Sequence, residues 1–294
     1  PERINLMDEA WVPNRFMAKE VSKNSNIFTP HQIVPHAADI SKYQKEYQPL
    51  EIPALDNKFV FYYIGECNRR KNIGTLLKAF HLEFGPEEDV AIVLKAHIPE
   101  QSAEESEYHL KDLSNKVKDG LKLYPSLDLY HNEIFVCGYL PEEQIMRLHA
   151  TCDCFVSASL GEAWGIPVFD AMAMGKTPIC TDTGGPSDFL KRGGYLIESK
   201  KEPCFGMIET FSELYVANEM WDVPSIEGLR SSMRKAFEDK NDRMSKSSFG
   251  VEDSYEYSYY NVGKKMQSIL EGESEPYKQN KDVREKHQIG SMLK

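Results

Sequence analysis

The 294-residue sequence has no run approaching the roughly 18–20 apolar residues that a bilayer-spanning helix needs. Nor does it have a surplus of basic residues. Asp and Glu number 46 against 35 Lys and Arg, for a formal net charge of −11. A chain of that sign lacks the basic footprint that displaces counterions, so it is a poor general nucleic-acid binder. It also lacks the polybasic attraction of an anionic-membrane binder. Its six cysteines (67, 137, 152, 154, 180 and 204) show no C-x2-C spacing of a zinc site. Most sit inside apolar runs and read as reduced, packed thiols. The expected compartment is therefore cytoplasmic, with a peripheral place at the inner face of a membrane left open. The start, Pro1-Glu2-Arg3-Ile4-Asn5, has neither an initiator Met nor the apolar core of a signal peptide.

What is present is a regular alternation of strands and helices. Residues 1–40 show two short extended segments around a helix, Phe16 to Ser22, and residues 41–57 carry two prolines and no clear period, which reads as a connector. Lys58 to Ile64 is apolar on both faces, as buried parallel strands are. Ile73, Leu76, Leu77, Phe80 and Phe84 then mark one face of a helix. Val90 to Ala96 is a second strand, an acidic surface helix lies within Pro99 to Gly120, and Ile134 to Cys137 is a third strand. Pro141 opens a helix at its first position, with Glu142 and Glu143 in the positive first turn. Strands Cys154 to Ser157 and Thr177 to Thr181 flank a helix from Ile166 to Met174. Beyond Ile197 the pattern turns mostly helical, ending in a helix from Tyr255 to Leu270. The implied architecture is α/β, a Rossmann-like parallel sheet with helices on both faces. Ligands of such sheets bind at the carboxyl ends of strands where strand order reverses. The loops after Ile64, Cys137, Ser157 and Thr181 are where chemistry is to be sought.

The most informative stretch follows Ser157. A glycine-bearing loop, Ser159-Leu160-Gly161-Glu162-Ala163-Trp164-Gly165, leads into a helix with Pro167 in its first turn and Asp170 about one turn in. A helix start presents unpaired N–H groups and partial positive charge, which suit a phosphate. Glu162 and Asp170, eight residues apart, can flank one ligand and accept hydrogen bonds from sugar hydroxyls. The competing reading is a solvated loop acid beside a helix-surface acid. A second loop carries Arg69-Arg70-Lys71 ahead of a helix, where cations are unfavourable without a compensating anion. In an acidic chain that cluster points to a bound anion.

These residues resemble retaining glycosyltransferases of the GT-B fold, group 1 (family 4), and mainly their C-terminal, donor-binding half. Glu162-Ala163-Trp164-Gly165-Ile166-Pro167-Val168-Phe169-Asp170-Ala171-Met172-Ala173-Met174-Gly175 is similar to that family's E-G-F-G-x-P-x-x-E-A-M-A-x-G, with Asp170 in place of the second Glu. Gly65 through Asn72 resembles its G-R-L-x-x-R-K-N, with Glu66 where the family has Arg. Val136 to Pro141, including Gly138, Tyr139 and Leu140, resembles the segment that meets the nucleotide base. Thr181-Asp182-Thr183-Gly184-Gly185-Pro186 resembles the donor-side glycine loop. Trp11 to Asn14, Val34 to Asp39 and Tyr257 to Gly263 resemble the places where the chain crosses between the family's two domains.

The resemblance implies metal-independent transfer of a hexose-type sugar from a nucleotide-diphosphate sugar, with retained anomeric configuration, to a glycan, lipid or small-molecule acceptor. No cofactor is implied beyond the donor itself. Lys71 with Arg70, and Arg69 beside them, would neutralise the leaving pyrophosphate, and Glu162 would bind a donor-sugar hydroxyl. Gly65, Gly138, Tyr139, Leu140, Ala163, Trp164, Gly165 and Ile166 would line the donor, and Asp170 would hold the ribose. The expected division is an acceptor-side remnant (1–40), a linker (41–57), a donor-binding domain (58–250), a cross-over helix (251–271) and a mobile tail (272–294). A full acceptor half takes about 100–200 residues, so the chain is expected to be a fragment or truncated reading frame. Its exposed surface would then favour a homodimer. A non-catalytic nucleotide-sugar module and a degenerate interaction protein are the alternatives. Other chemistries lack their motifs. Gly175-Lys176-Thr177 is followed by Pro178 and preceded at the required position by Asp170, so it is no phosphate loop. No G-x-G-x-x-G follows a strand, and no Asp-x-Asp marks a metal-dependent GT-A transferase. His31 and His36 flank no Cys or acid cluster and read as loop histidines rather than metal ligands, and a lone histidine at a strand's carboxyl end, such as His97, is more often structural than functional.

Overall fold

The computed structural model describes residues 2–24, 26–208 and 214–277. In chain order its main elements are β1 (Ala10–Val12), α1 (Arg15–Lys23), β2 (His31–Ile33), α2 (Ile40–Tyr43), β3 (Phe59–Glu66), α3 (Ile73–Glu83), β4 (Val90–His97) and α4 (Ala103–Leu121). There follow β5 (Glu133–Phe135), α5 (Glu142–Thr151), β6 (Cys154–Ser157), α6 (Ile166–Ala173), β7 (Ile179–Thr181), α7 (Pro186–Phe189) and β8 (Tyr195–Ile197). The last are β9 (Ser199–Pro203), β10 (Met220–Pro224), α8 (Ile226–Glu238), α9 (Lys240–Ser254) and α10 (Tyr259–Leu270).

The chain forms two compact units, one from Pro1–Ile40 with the segment beginning at Tyr255, the other Ser41–Ser254. In the smaller unit β1 and β2 pair in parallel, and Ala38 bridges Ser258. Asn14 caps α1 by accepting from the Met17 N–H at 2.8 Å, and Ser258 caps α10 through the Asn261 N–H at 3.2 Å. Most of the tail expected to be mobile, residues 278–294, lies outside the described residues.

The larger unit is built on a six-stranded parallel sheet in the order β5-β4-β3-β6-β7-β8. β3 runs at its centre because Val60, Phe61, Tyr62 and Tyr63 are apolar or aromatic toward both faces, and all four are buried. From β3 the chain winds outward through β4 and β5, then returns to β6 and winds the other way. Strand order therefore reverses between β3 and β6, which pair at Phe61↔Cys154 and Tyr62↔Phe155. α4 is fixed at its start by a reciprocal cap between Ser102 and Glu105. Pro141 stands at the N-cap of α5 rather than inside it. Contrary to the mostly helical pattern expected after Ile197, β9 and β10 form an antiparallel hairpin. Among the described residues no helix is long and apolar enough to cross a membrane, and all six cysteines are unpaired.

Two buried polar sites shape the stability of this unit. Glu133 on β5 accepts from Lys118 Nζ at 2.8 Å and Ser114 Oγ at 2.6 Å, and meets His81 Nε2 at 2.6 Å. Burial alone would raise its carboxyl, but these donors outweigh it and hold it at about 2. His149 on α5 meets the Tyr62 hydroxyl at 2.6 Å through Nδ1. Burial first, then the nearby Lys176 and Lys42 charges, push its imidazole down to about 3. The unfolded imidazole titrates near 6.5, so below that pH the unfolded chain binds more protons and stability falls. The expected loss approaches about 1.4 kcal/mol per pH unit at most between pH 6.5 and 3. Urea unfolding of the parent and of His149→Gln at pH 7, 6 and 5 measures it. The variant should show a shallower decline, and equal declines would remove His149 as the source.

Candidate functional site

Strand order reverses between β3 and β6, and open α/β sheets hold ligands outside the carboxyl ends of their strands at such a point. Two loops meet there, 67–72 after β3 and 158–165 after β6. Their backbones are joined, because the Leu160 N–H donates to the Arg70 carbonyl at 2.8 Å and Asn72 Nδ2 donates to the Ala158 carbonyl at 3.1 Å. Asn72 starts α3 in the left-handed region, at φ +54°, which frees its amide for that cross-loop bond. Asn68 organises the first loop from within, accepting from the Lys71 N–H at 3.0 Å and donating to Glu66 at 2.9 Å. Glu66, at the position where a cation was expected by resemblance, is thus engaged by Asn68.

Between the two loops Lys71 Nζ is paired with the Glu162 carboxylate. Arg70 Nη1 donates to the Gly161 carbonyl at 2.6 Å and lies 3.5 Å from Glu162 Oε2. The three side chains are 16, 22 and 12% exposed for Lys71, Arg70 and Glu162, so they are largely shielded yet open to a ligand. Two cations thus meet one carboxylate, with Glu66 a second acid at the end of β3 held by Asn68. α6 begins beside it at Gly165, which takes φ +85°.

The glycine loop after β7 presses on the same segment. A Cβ on Gly184, at φ +63°, would lie 1.5 Å from the Glu162 carbonyl oxygen, and one on Gly185 would lie 2.3 Å from that of Trp164. Only glycine allows these approaches.

The remaining expected residues are distributed around this centre. Gly65 lies at the end of β3, where a Cβ would meet the Tyr63 hydroxyl at 2.5 Å. Arg69 is exposed, lies near Gly206 and lines a separate cavity of about 570 Å³ between α3 and α4. Gly138 has open space around its Cα, Tyr139 is 89% exposed and Leu140 is half-buried. Ala163 and Ile166 are exposed. Trp164 is buried, with its ring centroid 5.2 Å from Phe189 and 6.1 Å from Phe169.

Asp170 is buried and faces the connector. The Tyr43 hydroxyl donates to it, and Lys42 Nζ lies 3.8 Å away while also meeting Glu142 at 3.0 Å. Burial pushes the Asp170 carboxyl up, partly offset by the Tyr43 hydrogen bond and the Lys42 charge. The two acids of the motif thus have separate surroundings. Tyr43 and Lys42 were not anticipated, since nothing in a connector without period marks two residues that reach Asp170, 127 and 128 positions away.

A family model described as glycosyl transferases group 1 matches residues 45–204 of the chain. The chain belongs to the group 1 glycosyl transferases. It is 28% identical over 153 residues to an alpha-1,3/1,6-mannosyltransferase, ALG2, of Dictyostelium discoideum, a match covering 48% of this chain and 34% of the relative. Sucrose-phosphate synthase from Thermosynechococcus elongatus superposes with a TM-score of 0.64 at 16% identity, over 92% of this chain and 59% of that one. Anabaena HepE, in a complex with UDP and glucose, superposes with a TM-score of 0.55 at 16% identity, over 82% and 57%. These structures share the GT-B fold with the group 1 chain. It spans about a third of the curated relative's length and under two thirds of either structural neighbour.

Proposed function

We propose that the larger unit is the donor platform of a retaining, metal-independent hexosyltransferase that uses a nucleotide-diphosphate sugar. The observation that carries this is the convergence of Lys71, Arg70 and Glu162 beside the leading end of α6. In the free protein Glu162 occupies both cations. A diphosphate entering between the two loops offers Lys71 and Arg70 a doubly charged partner and frees Glu162 to accept from a sugar hydroxyl. As the bond from sugar C1 to the phosphate oxygen breaks, its electron pair leaves on the diphosphate. Positive groups already in place stabilise that charge without reorganising, usually the largest catalytic contribution. Asp170 would accept from the ribose in place of Tyr43, and the 136–141 segment would meet the base. The acceptor is a glycan, lipid or small molecule.

Calorimetry with UDP, GDP and ADP tests the reading. One of the three is expected to bind, without added divalent metal. No binding of any at millimolar concentration would overturn it. The neutralisation of Lys71 by Glu162, with Glu66 in place of a cation, favours one second reading, a module that binds the nucleotide sugar without turnover. Release of free sugar from the bound donor separates the two.

A further inference from the structure

We infer that Asp222, on the β9–β10 hairpin, is a positioning residue that sets the Glu162 loop for donor binding. The inference rests on the donor-platform reading for its consequence, but its geometry stands apart from it. β10 lies against the site loop because Trp221 is buried in a small cluster with Leu160 and Cys204. The next residue, Asp222, is only 6% exposed. Its backbone N–H donates to the Leu160 carbonyl at 2.9 Å. The Leu160 N–H in turn donates to the Arg70 carbonyl, so one residue of the Glu162 loop is tied through its N–H to the cationic loop and through its carbonyl to the hairpin.

The carboxylate of Asp222 makes the second connection. Thr183 Oγ1 donates to Oδ2 at 2.8 Å, Lys201 Nζ meets the same oxygen at 2.9 Å, and Ser199 Oγ lies 3.2 Å from Oδ1. Thr183 is itself buried and precedes Gly184, whose Cα packs directly on the Glu162 carbonyl. Asp222 therefore grips the Glu162 segment from both sides, at Leu160 through its main chain and at Gly184 through Thr183. A buried carboxylate costs free energy unless its acceptor positions are filled. An apolar residue would suffice to pin the hairpin. The charged group adds direction, because hydrogen bonds to it are shorter and stronger than neutral ones. A shift of about 1 Å at a site loop can cost on the order of 100-fold in rate.

The test compares Thr183→Val, which keeps the shape and removes the hydroxyl, with Thr183→Ser, which restores it, and with Asp222→Asn, all in the full chain. Hydrogen exchange over residues 158–165 is read first, because it requires no ligand. In Thr183→Val and Asp222→Asn this segment should exchange about tenfold faster than in the parent, with Thr183→Ser within about twofold. Affinity for the nucleoside diphosphate that the parent binds should fall about tenfold or more in the first two and return in the serine variant. Unchanged exchange over 158–165 in Thr183→Val overturns the inference. Equal damage from Thr183→Ser also overturns it, since the methyl and not the hydroxyl would then matter. Should Asp222→Asn fail to fold, the threonine pair decides alone. If the parent binds none of the diphosphates, the donor-platform reading falls while the exchange comparison still decides the positioning role.

Discussion

Replacing Lys71 by alanine is expected to lower sugar transfer, or donor hydrolysis where no acceptor is present, by about 100- to 1,000-fold, equivalent to roughly 3–4 kcal/mol of lost transition-state stabilisation. The size follows from where the ammonium sits. It is 16% exposed, in the loop at the carboxyl end of β3, and opposes a carboxylate that is 12% exposed. Water competes poorly there, so a developing phosphate charge meets the cation with little screening. Arg70 remains in the variant and keeps its bond to the Gly161 carbonyl, so the loop holds its form and the loss is one of charge. Binding of the nucleoside diphosphate should fall much more than binding of the nucleoside, as measured by calorimetry on both. Equal losses would move the phosphate elsewhere.

Glu133→Ala is expected to destabilise the larger unit by about 3–5 kcal/mol. The Glu133, His81 and Lys118 side chains are 5, 1 and 6% exposed, so removing the carboxylate leaves the Lys118 ammonium buried without its main counter-charge. Glu133 on β5 ties to His81 on α3 and to Ser114 and Lys118 on α4, so the cost falls on three elements at once. Its contribution in the parent is fully present above about pH 4.5, the unfolded value, and is lost as pH falls toward about 2. Urea denaturation at pH 7 measures the difference. A change below about 1 kcal/mol would mean that water or a rearranged side chain replaces the carboxylate.

Much of the sheet was legible because its strands are short apolar runs punctuated by helix-period segments. Val90–His97 and Cys154–Ser157 stand within a residue of the spans read from the sequence. The two loops of the candidate site followed from that alternation, and Lys71 and Glu162 are paired between them. The hairpin was not legible. Ser199-Lys200-Lys201-Glu202-Pro203 has no apolar alternation, and its partner strand begins 17 residues beyond its end, at Met220. What holds it is tertiary, the seating of Trp221 on Leu160 and the bonds of Asp222, and no local propensity encodes these. The packing of the Trp164 ring against Phe169 and Phe189 is tertiary in the same way, a large apolar ring in a loop drawn to the nearest core.

The strand reversal has a consequence for assembly. Lys71 and Glu162 are 91 positions apart, and α3, β4, α4, β5, α5 and β6 are threaded between them. On a ribosome, the first member of the pair emerges long before the second, and the intervening loop must close before they can meet. No early folding intermediate can therefore recognise the ligand. A diphosphate held by this pair, as proposed, would therefore report on a sheet assembled at least from β3 through β6, the strands that carry the two loops.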